Sequence, residues 1–222
     1  MTQIDRGTIL YKDELLRKSI HLASLSIPII YYFIPTNTAA IILAVLAGLA
    51  LIIDWARYLS PEVGKIFYKI FGFILREHEV DHQKRNLNGA TYVFISALIG
   101  VLIFPKPIFI SAFSILIISD SLAALIGRKF GKRKFLSKSF EGTLTFFISA
   151  CIVILFTPKI GKFPEEYLIG VIGAFVGAIV ENVSFKLIDD NLSIPIAVGF
   201  TMWGLYLAIL PQLDLTLPNV PR

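Results

Sequence analysis

The sequence predicts an all-α integral membrane protein of about seven transmembrane helices, with one interfacial amphipathic helix and a cytoplasmic N-terminus. Three observations predict it. Of the 222 residues, 55% are hydrophobic and the mean hydropathy is +0.73, above a soluble domain, whose apolar residues come in amphipathic periods. The apolar residues gather in long, nearly charge-free runs, several of them close to the ~20 residues that cross a bilayer. The cations alternate between connecting segments. Seventeen of the 21 Lys and Arg fall on the side of the N-terminus and four on the other. The positive-inside rule then puts the N-terminus in the cytoplasm and the C-terminus outside, with an odd number of spans.

The expected spans are 19–34, 38–58, 89–104, 107–127, 141–157, 166–185 and 192–210. The first is short, and Arg17, Lys18 and His21 can snorkel to lengthen it. Pro35 stops it. The second closes on Asp54 and Arg57, an (i, i+3) pair that reads equally as a structural ion pair or as part of a site. Between spans two and three, in "PEVGKIFYKIFGFILREHE", the residues Ile66, Phe67, Ile70, Phe71, Ile74 and Leu75 recur at helical spacing. Lys65, Lys69 and Arg76 fall elsewhere, which predicts a helix lying flat on the cytoplasmic surface. Pro105 and Pro107 separate spans three and four, and Pro158 ends span five. The small-residue pattern Gly173 to Gly177 in span six reads as helix packing.

The first eighteen residues mix acids with cations, and no small-residue cleavage site follows, so a signal peptide is not expected. No repeat or linker divides the chain, and residues 1–222 read as one membrane domain. Cys151 is the only cysteine. It allows no disulfide within the chain and reads as a small apolar filler. Cations confined to the ends of membrane spans suit anionic headgroups or phosphates, and no nucleic-acid partner is expected.

The acids sort to the same side as the cations. Glu14 and His21 flank span one and Asp54 closes span two. Asp120 lies about two turns before the end of span four, and Glu141 opens span five. Glu181 is near the end of span six, with Asp189, Asp190 and Asn191 beyond. All fall at expected cytoplasmic ends, although the positive-inside bias concerns cations alone. Carboxylates hold Mg²⁺, which bridges phosphate oxygens; Lys and Arg neutralise the remaining charge, and glycine lets backbone come close. Those residue types together suit phosphoryl transfer. Residues 128–138 by themselves read equally as a positive-inside anchor. Gly127 and Gly131 enclose three residues, with no Ser or Thr after Lys132, so this is not a P-loop.

"ELLRKSIHL" (Glu14, Arg17, Lys18, His21), "REHEV…NGATYV", "DSLAALIGRKFGKRKFLSKSFEGTL" and "ENVSFKLIDDNLSIPI" occur in this order. Together they resemble the polyprenol, dolichol and phytol kinases, a family that includes CTP-dependent diacylglycerol kinases. The third block is the specific one. The resemblance implies a membrane kinase that moves the γ-phosphate of a nucleotide, often CTP, to a lipid alcohol, with Mg²⁺. It implies that Asp120, Gly127, Gly131, Lys138, Ser139, Glu141 and Gly142 form the nucleotide and metal site, with Arg128 and Lys132 among the cations on the phosphates. Glu181 joins Asp120 and Glu141 as a metal candidate. Asp120, Asp189 and His21 are the candidate bases. Glu14, Arg17, Lys18, Asp54, Arg57, Asp190 and Asn191 complete the polar face. On this reading Asp120 and Glu141 face each other across their helix ends.

Two rival readings stand beside it: a phosphatidate cytidylyltransferase making a CDP-lipid, and a transporter. A transporter expects charges near mid-membrane and open to both sides. The alcohol (phytol, geranylgeraniol, a polyprenol or dolichol, or diacylglycerol) and the base of the nucleotide are open at this level.

Overall fold

The computed structural model describes residues 10–75, 79, 86–183 and 189–222. Among them the chain is almost wholly helical. The helices are α1 (Tyr11–Ala23), α2 (Ser26–Phe33), α3 (Thr36–Leu59) and α4 (Pro61–Phe71), the last followed by a 3₁₀ turn, Gly72–Ile74. Then come α5 (Gly89–Ile103), α6 (Lys106–Phe130), α7 (Phe140–Phe156), α8 (Pro164–Val183) and α9 (Asp190–Ile209). A two-residue hairpin, β1 (Lys134–Phe135) with β2 (Lys138–Ser139), joins α6 to α7. The predicted residues Arg76, His78, Val80, Lys84, Arg85 and Lys186, and the last two of span six, lie outside the described residues.

Among the described residues four helices, α3, α6, α8 and α9, are long and apolar enough to cross a membrane. The apolar helices α5 and α7 are shorter, at 15 and 17 residues, so about 23–26 Å at 1.5 Å per residue. The expected first span is not one straight helix. Ser24 and Leu25 donate to His21 and Leu22, a tight turn that ends α1 before α2 begins. Proline marks the other boundaries: Pro35 and Pro105 precede α3 and α6, and Pro61 opens α4, where a missing N–H costs nothing.

Helix α6 is the core, with most of its length enclosed. Phe109 stacks on Phe113, ring centroids 5.2 Å apart, and meets Tyr31 edge-on. Helices α7, α8 and α9 pack in sequence against one another. The small residues of α8 allow this: a Cβ on Gly173 would stand 2.9 Å from Met202 and one on Gly177 2.9 Å from Val198, as the spacing predicts. Helix α3 instead turns Ile41, Val45, Leu49 and Ile52 outward, as a helix facing lipid does. On α4, Phe67 is buried while Ile66 and Ile70 are exposed.

One irregularity positions the site. Residues Leu116–Asp120 of α6 form a π turn, a rare widening that frequently marks functional sites. Asp120 is its last residue, buried to 2% exposure.

Candidate active site

Helix α1 carries Glu14, Lys18 and His21 along one stripe, spaced by four and three residues, and that stripe faces α6. Lys18 Nζ donates to Asp120 Oδ2 at 2.5 Å, and both side chains are buried. His21 Nε2 lies 3.9 Å from the same oxygen. Among the described residues Nε2 is buried with no hydrogen-bond partner. One turn nearer the N-terminus, Glu14 pairs with Arg128 at 3.5 Å. Arg17 points elsewhere: it forms a bidentate pair with Glu79, at 2.6 and 3.0 Å, and donates to the Ile74 carbonyl.

A second ion pair sits close by. Lys138 Nζ donates to Glu181 Oε1 at 2.5 Å and lies 4.0 Å from Asp190 Oδ2. Burial works against its charge, but Glu181, Asp190 and Asp120 outweigh burial and hold the ammonium above the ordinary lysine range. The hairpin aims this lysine. Asn182 Oδ1 accepts from Ser137 N and Lys138 N, at 2.8 and 3.1 Å, and its Nδ2 donates to Thr143. Asn182 and Glu79 were not among the expected site residues. An asparagine inside an apolar helix, next to Glu181, is the signal for the first.

The structure brings together Glu14, Lys18, His21, Asp120, Arg128, Lys138, Glu181 and Asp190 through these pairs. Asn191, buried at the start of α9, donates to Asp189, which caps that helix. Other expected residues are engaged differently. The Glu141 carboxylate accepts from the backbone N–H of Lys132 and Arg133, so it closes the turn before the hairpin. Ser139 caps α7 through Gly142 N. Gly127 and Gly142 are in close contact: a Cβ on either would stand 3.3 Å from the other's Cα, and one on Gly131 would collide with Gly127 O and Ser139. What these glycines visibly supply is close packing of α6 on α7. Asp54 and Arg57 form a fully buried pair at 2.9 Å. Asp54 accepts from Asn88 and Thr91, and Arg57 donates to the Asn86 carbonyl and stacks on Tyr58 and Phe67. That pair fastens α3 to the start of α5 and to α4.

No cluster of three or more acids, histidines or cysteines suited to one metal ion occurs among the described residues. Mg²⁺ is usually held by one or two carboxylates together with substrate phosphates, and that donor set is here. Asp120 and Glu181 are buried carboxylates, and Glu181 Oε2 has no hydrogen-bond partner among the described residues.

Neither a protein-family model nor a solved structure matches the chain. Curated proteins do. The chain is 31% identical over 182 residues to an uncharacterized protein of Rickettsia prowazekii, spanning 82% of this chain and 89% of that one. It is 27% identical over 201 residues to CTP-dependent diacylglycerol kinase 1 of Schizosaccharomyces pombe, across 83% of this chain and 90% of that one. It is 25% identical over 185 residues to probable phytol kinase 2, chloroplastic, of Glycine max, across 73% and 63%.

Proposed function

The chain belongs to the family of lipid-alcohol kinases that includes the CTP-dependent diacylglycerol kinases and the phytol kinases, and on that premise we propose that it is a membrane kinase acting on a lipid alcohol. It moves the γ-phosphate of a nucleotide, CTP first, to the lipid hydroxyl at the cytoplasmic face. The membrane is crossed seven times, α1 and α2 together making the first passage, with the N-terminus inside. The observation that carries this reading is the gathering of a buried Lys–carboxylate pair, Lys18–Asp120, and a half-buried one, Lys138–Glu181, at one end of an apolar helical bundle. Charges so placed are expensive in a membrane and mark function.

Lys18 and Lys138 bind the nucleotide phosphates, exchanging a carboxylate for a phosphate oxygen as partner. Asp120 and Glu181 would hold Mg²⁺, which supplies charge neutralisation to the β- and γ-phosphates when bound. The lipid hydroxyl oxygen bonds to the γ-phosphorus as the bond from that phosphorus to the β,γ-bridging oxygen breaks. The nucleoside diphosphate leaves, and the hydroxyl proton passes to Asp120, the first of the candidate bases. In a loose transition state such a reaction needs position and charge more than early deprotonation. Asn182 aims Lys138, and the close packing of Gly127 on Gly142 fixes α6 against α7.

The test is to incubate purified protein in detergent with Mg²⁺, γ-labelled CTP or ATP and a panel of lipid alcohols. Label in a lipid monophosphate is the expected result. Pyrophosphate released with phosphatidate as acceptor would assign a cytidylyltransferase instead, and no reaction in either assay from folded protein would return the reading to transport.

A further inference from the structure

Beside the Lys18–Asp120 pair lies a cavity of about 340 Å³. Ala50 and Ile53 of α3, Phe67 and Phe71 of α4, and Val93 and Phe94 of α5 form its apolar walls. Ile20, Ile53 and Phe71, also in its lining, are about half exposed on the perimeter of the bundle. The cavity therefore opens sideways beside α4, on the exposed apolar perimeter of the bundle. Its inner end is polar and holds Lys18, His21, Asp190 and Asn191.

The hydrogen-bonding state of that lining is uneven. Lys18 is taken by Asp120, and Arg17 by Glu79. Asn88 and Thr91 donate to Asp54, and Asn191 donates to Asp189. Asp190 faces Lys138. Ser24 is half-buried at the same lining, and the one buried polar atom left without a hydrogen-bond partner among the described lining residues is His21 Nε2, 3.9 Å from Asp120. An apolar slot with one unsatisfied polar atom at its closed end matches a ligand with one polar group at the end of one apolar chain.

We infer that this slot is the acceptor site and that it takes a single-chain, monohydroxyl lipid alcohol, isoprenoid or fatty, with its hydroxyl oxygen accepting from His21 Nε2–H, its proton turned to Asp120, and its chain between α3, α4 and α5. The inference rests on the kinase reading and narrows its substrate. Diacylglycerol fits the slot poorly on two counts. Its two ester groups would lose water against aromatic and aliphatic walls. Its two chains also diverge within a few bonds of the hydroxyl, while the cavity is at the small end of ligand sites, which run from about 300 to 1,000 Å³.

The experiment uses the full chain in detergent with Mg²⁺ and CTP, and compares geranylgeraniol with 1,2-dioleoylglycerol. Ile53→Trp and Ala90→Phe narrow the slot from half-exposed or exposed positions, so the core is left alone. Geranylgeraniol is expected to exceed dioleoylglycerol in kcat/KM by about tenfold or more, and either substitution to raise the KM for geranylgeraniol about tenfold while the KM for CTP stays within about twofold. A second readout needs no turnover: a diazirine-bearing geranylgeraniol should crosslink to α3, α4 or α5 in competition with geranylgeraniol and not with dioleoylglycerol. Equal or better use of dioleoylglycerol, or crosslinks confined to other helices, overturns the inference and leaves the kinase reading standing. Phosphorylation of no lipid at all, with crosslinking still in the slot, sinks the kinase reading and keeps the slot as an alcohol site.

Discussion

The Lys18–Asp120 pair lets stability and catalysis be pulled apart. The two residues are 4% and 2% exposed and 2.5 Å apart. Removing one member of a buried pair strands the other charge, at a cost of about 3–5 kcal/mol. Glu14 lies one turn from Lys18, so some compensation for the stranded ammonium remains, and Asp120→Asn should cost about 3 kcal/mol, near the low end. Replacing both members by apolar residues of similar volume is often neutral or better. The double variant Lys18→Met, Asp120→Leu should therefore unfold within about 1 kcal/mol of the parent protein. Kinase turnover follows a different rule, since the groups proposed to bind phosphate and metal are gone in the double variant. Activity should fall about a thousandfold or more in both variants. The assay pairs thermal unfolding followed by Trp fluorescence in detergent with label transfer to lipid. A double variant that keeps activity within about tenfold of the parent would refute the assignment of this pair to the chemistry. A single variant as stable as the parent would refute the buried-charge argument.

Three further outcomes are expected. Asn182→Ala leaves the N–H groups of Ser137 and Lys138 without their acceptor and should raise the KM for nucleotide about tenfold, with the KM for the lipid alcohol little changed, in steady-state assays. Gly131→Ala drives a Cβ into Gly127 O and Ser139 and should destabilise by about 1–3 kcal/mol, while Gly48→Ala, with nothing within 4 Å, should be neutral or stabilising by up to about 1 kcal/mol in the same melting assay. Lys159, in the loop after α7, is lowered to about 8 by burial, with Glu166 working the other way. Between about pH 8 and 10.5 the unfolded chain binds a proton that the folded one does not, so stability should rise with pH through that window. Lys159→Met should flatten the rise in melting midpoint.

The apolar runs were legible because length and hydropathy decide where a helix meets lipid: six of the seven expected spans each overlap one apolar helix, four of them long enough to cross a membrane. The first does not. Ser24 and Leu25 sit inside an apolar stretch, and nothing in hydropathy distinguishes a tight turn there from continuing helix. The polar residues of the site were legible as types gathered at helix ends, since a charge in a membrane needs a reason. Their partners were not. Glu141 reads as facing Asp120 only until the hairpin Lys134–Ser139 is known, because that reversal brings the N–H groups of Lys132 and Arg133 back to its carboxylate. Asp54 and Arg57 likewise find their role through Asn86, Asn88 and Thr91, some thirty residues away. The glycines of the hairpin region read as room for a phosphate, whereas the contact between Gly127 and Gly142 depends on how two helices cross.

The π turn at Leu116–Asp120 divides α6 into two stretches with independent phase. A π turn holds about one residue more than an α turn, which is about 100° of rotation around the axis. Upstream, Phe109 and Phe113 are locked to the core, so the angular setting of that half cannot drift. The widened turn resets the angle for everything from Asp120 to Phe130. The half that carries Asp120 and Arg128 is thus aimed separately from the half that holds the bundle together. Loss of one residue anywhere in that turn would restore regular helix, keep every apolar residue in the membrane, and rotate Arg128 and Gly127 away from Glu14 and Gly142. Such a protein would insert and fold with the polar end of α6 facing the wrong neighbours.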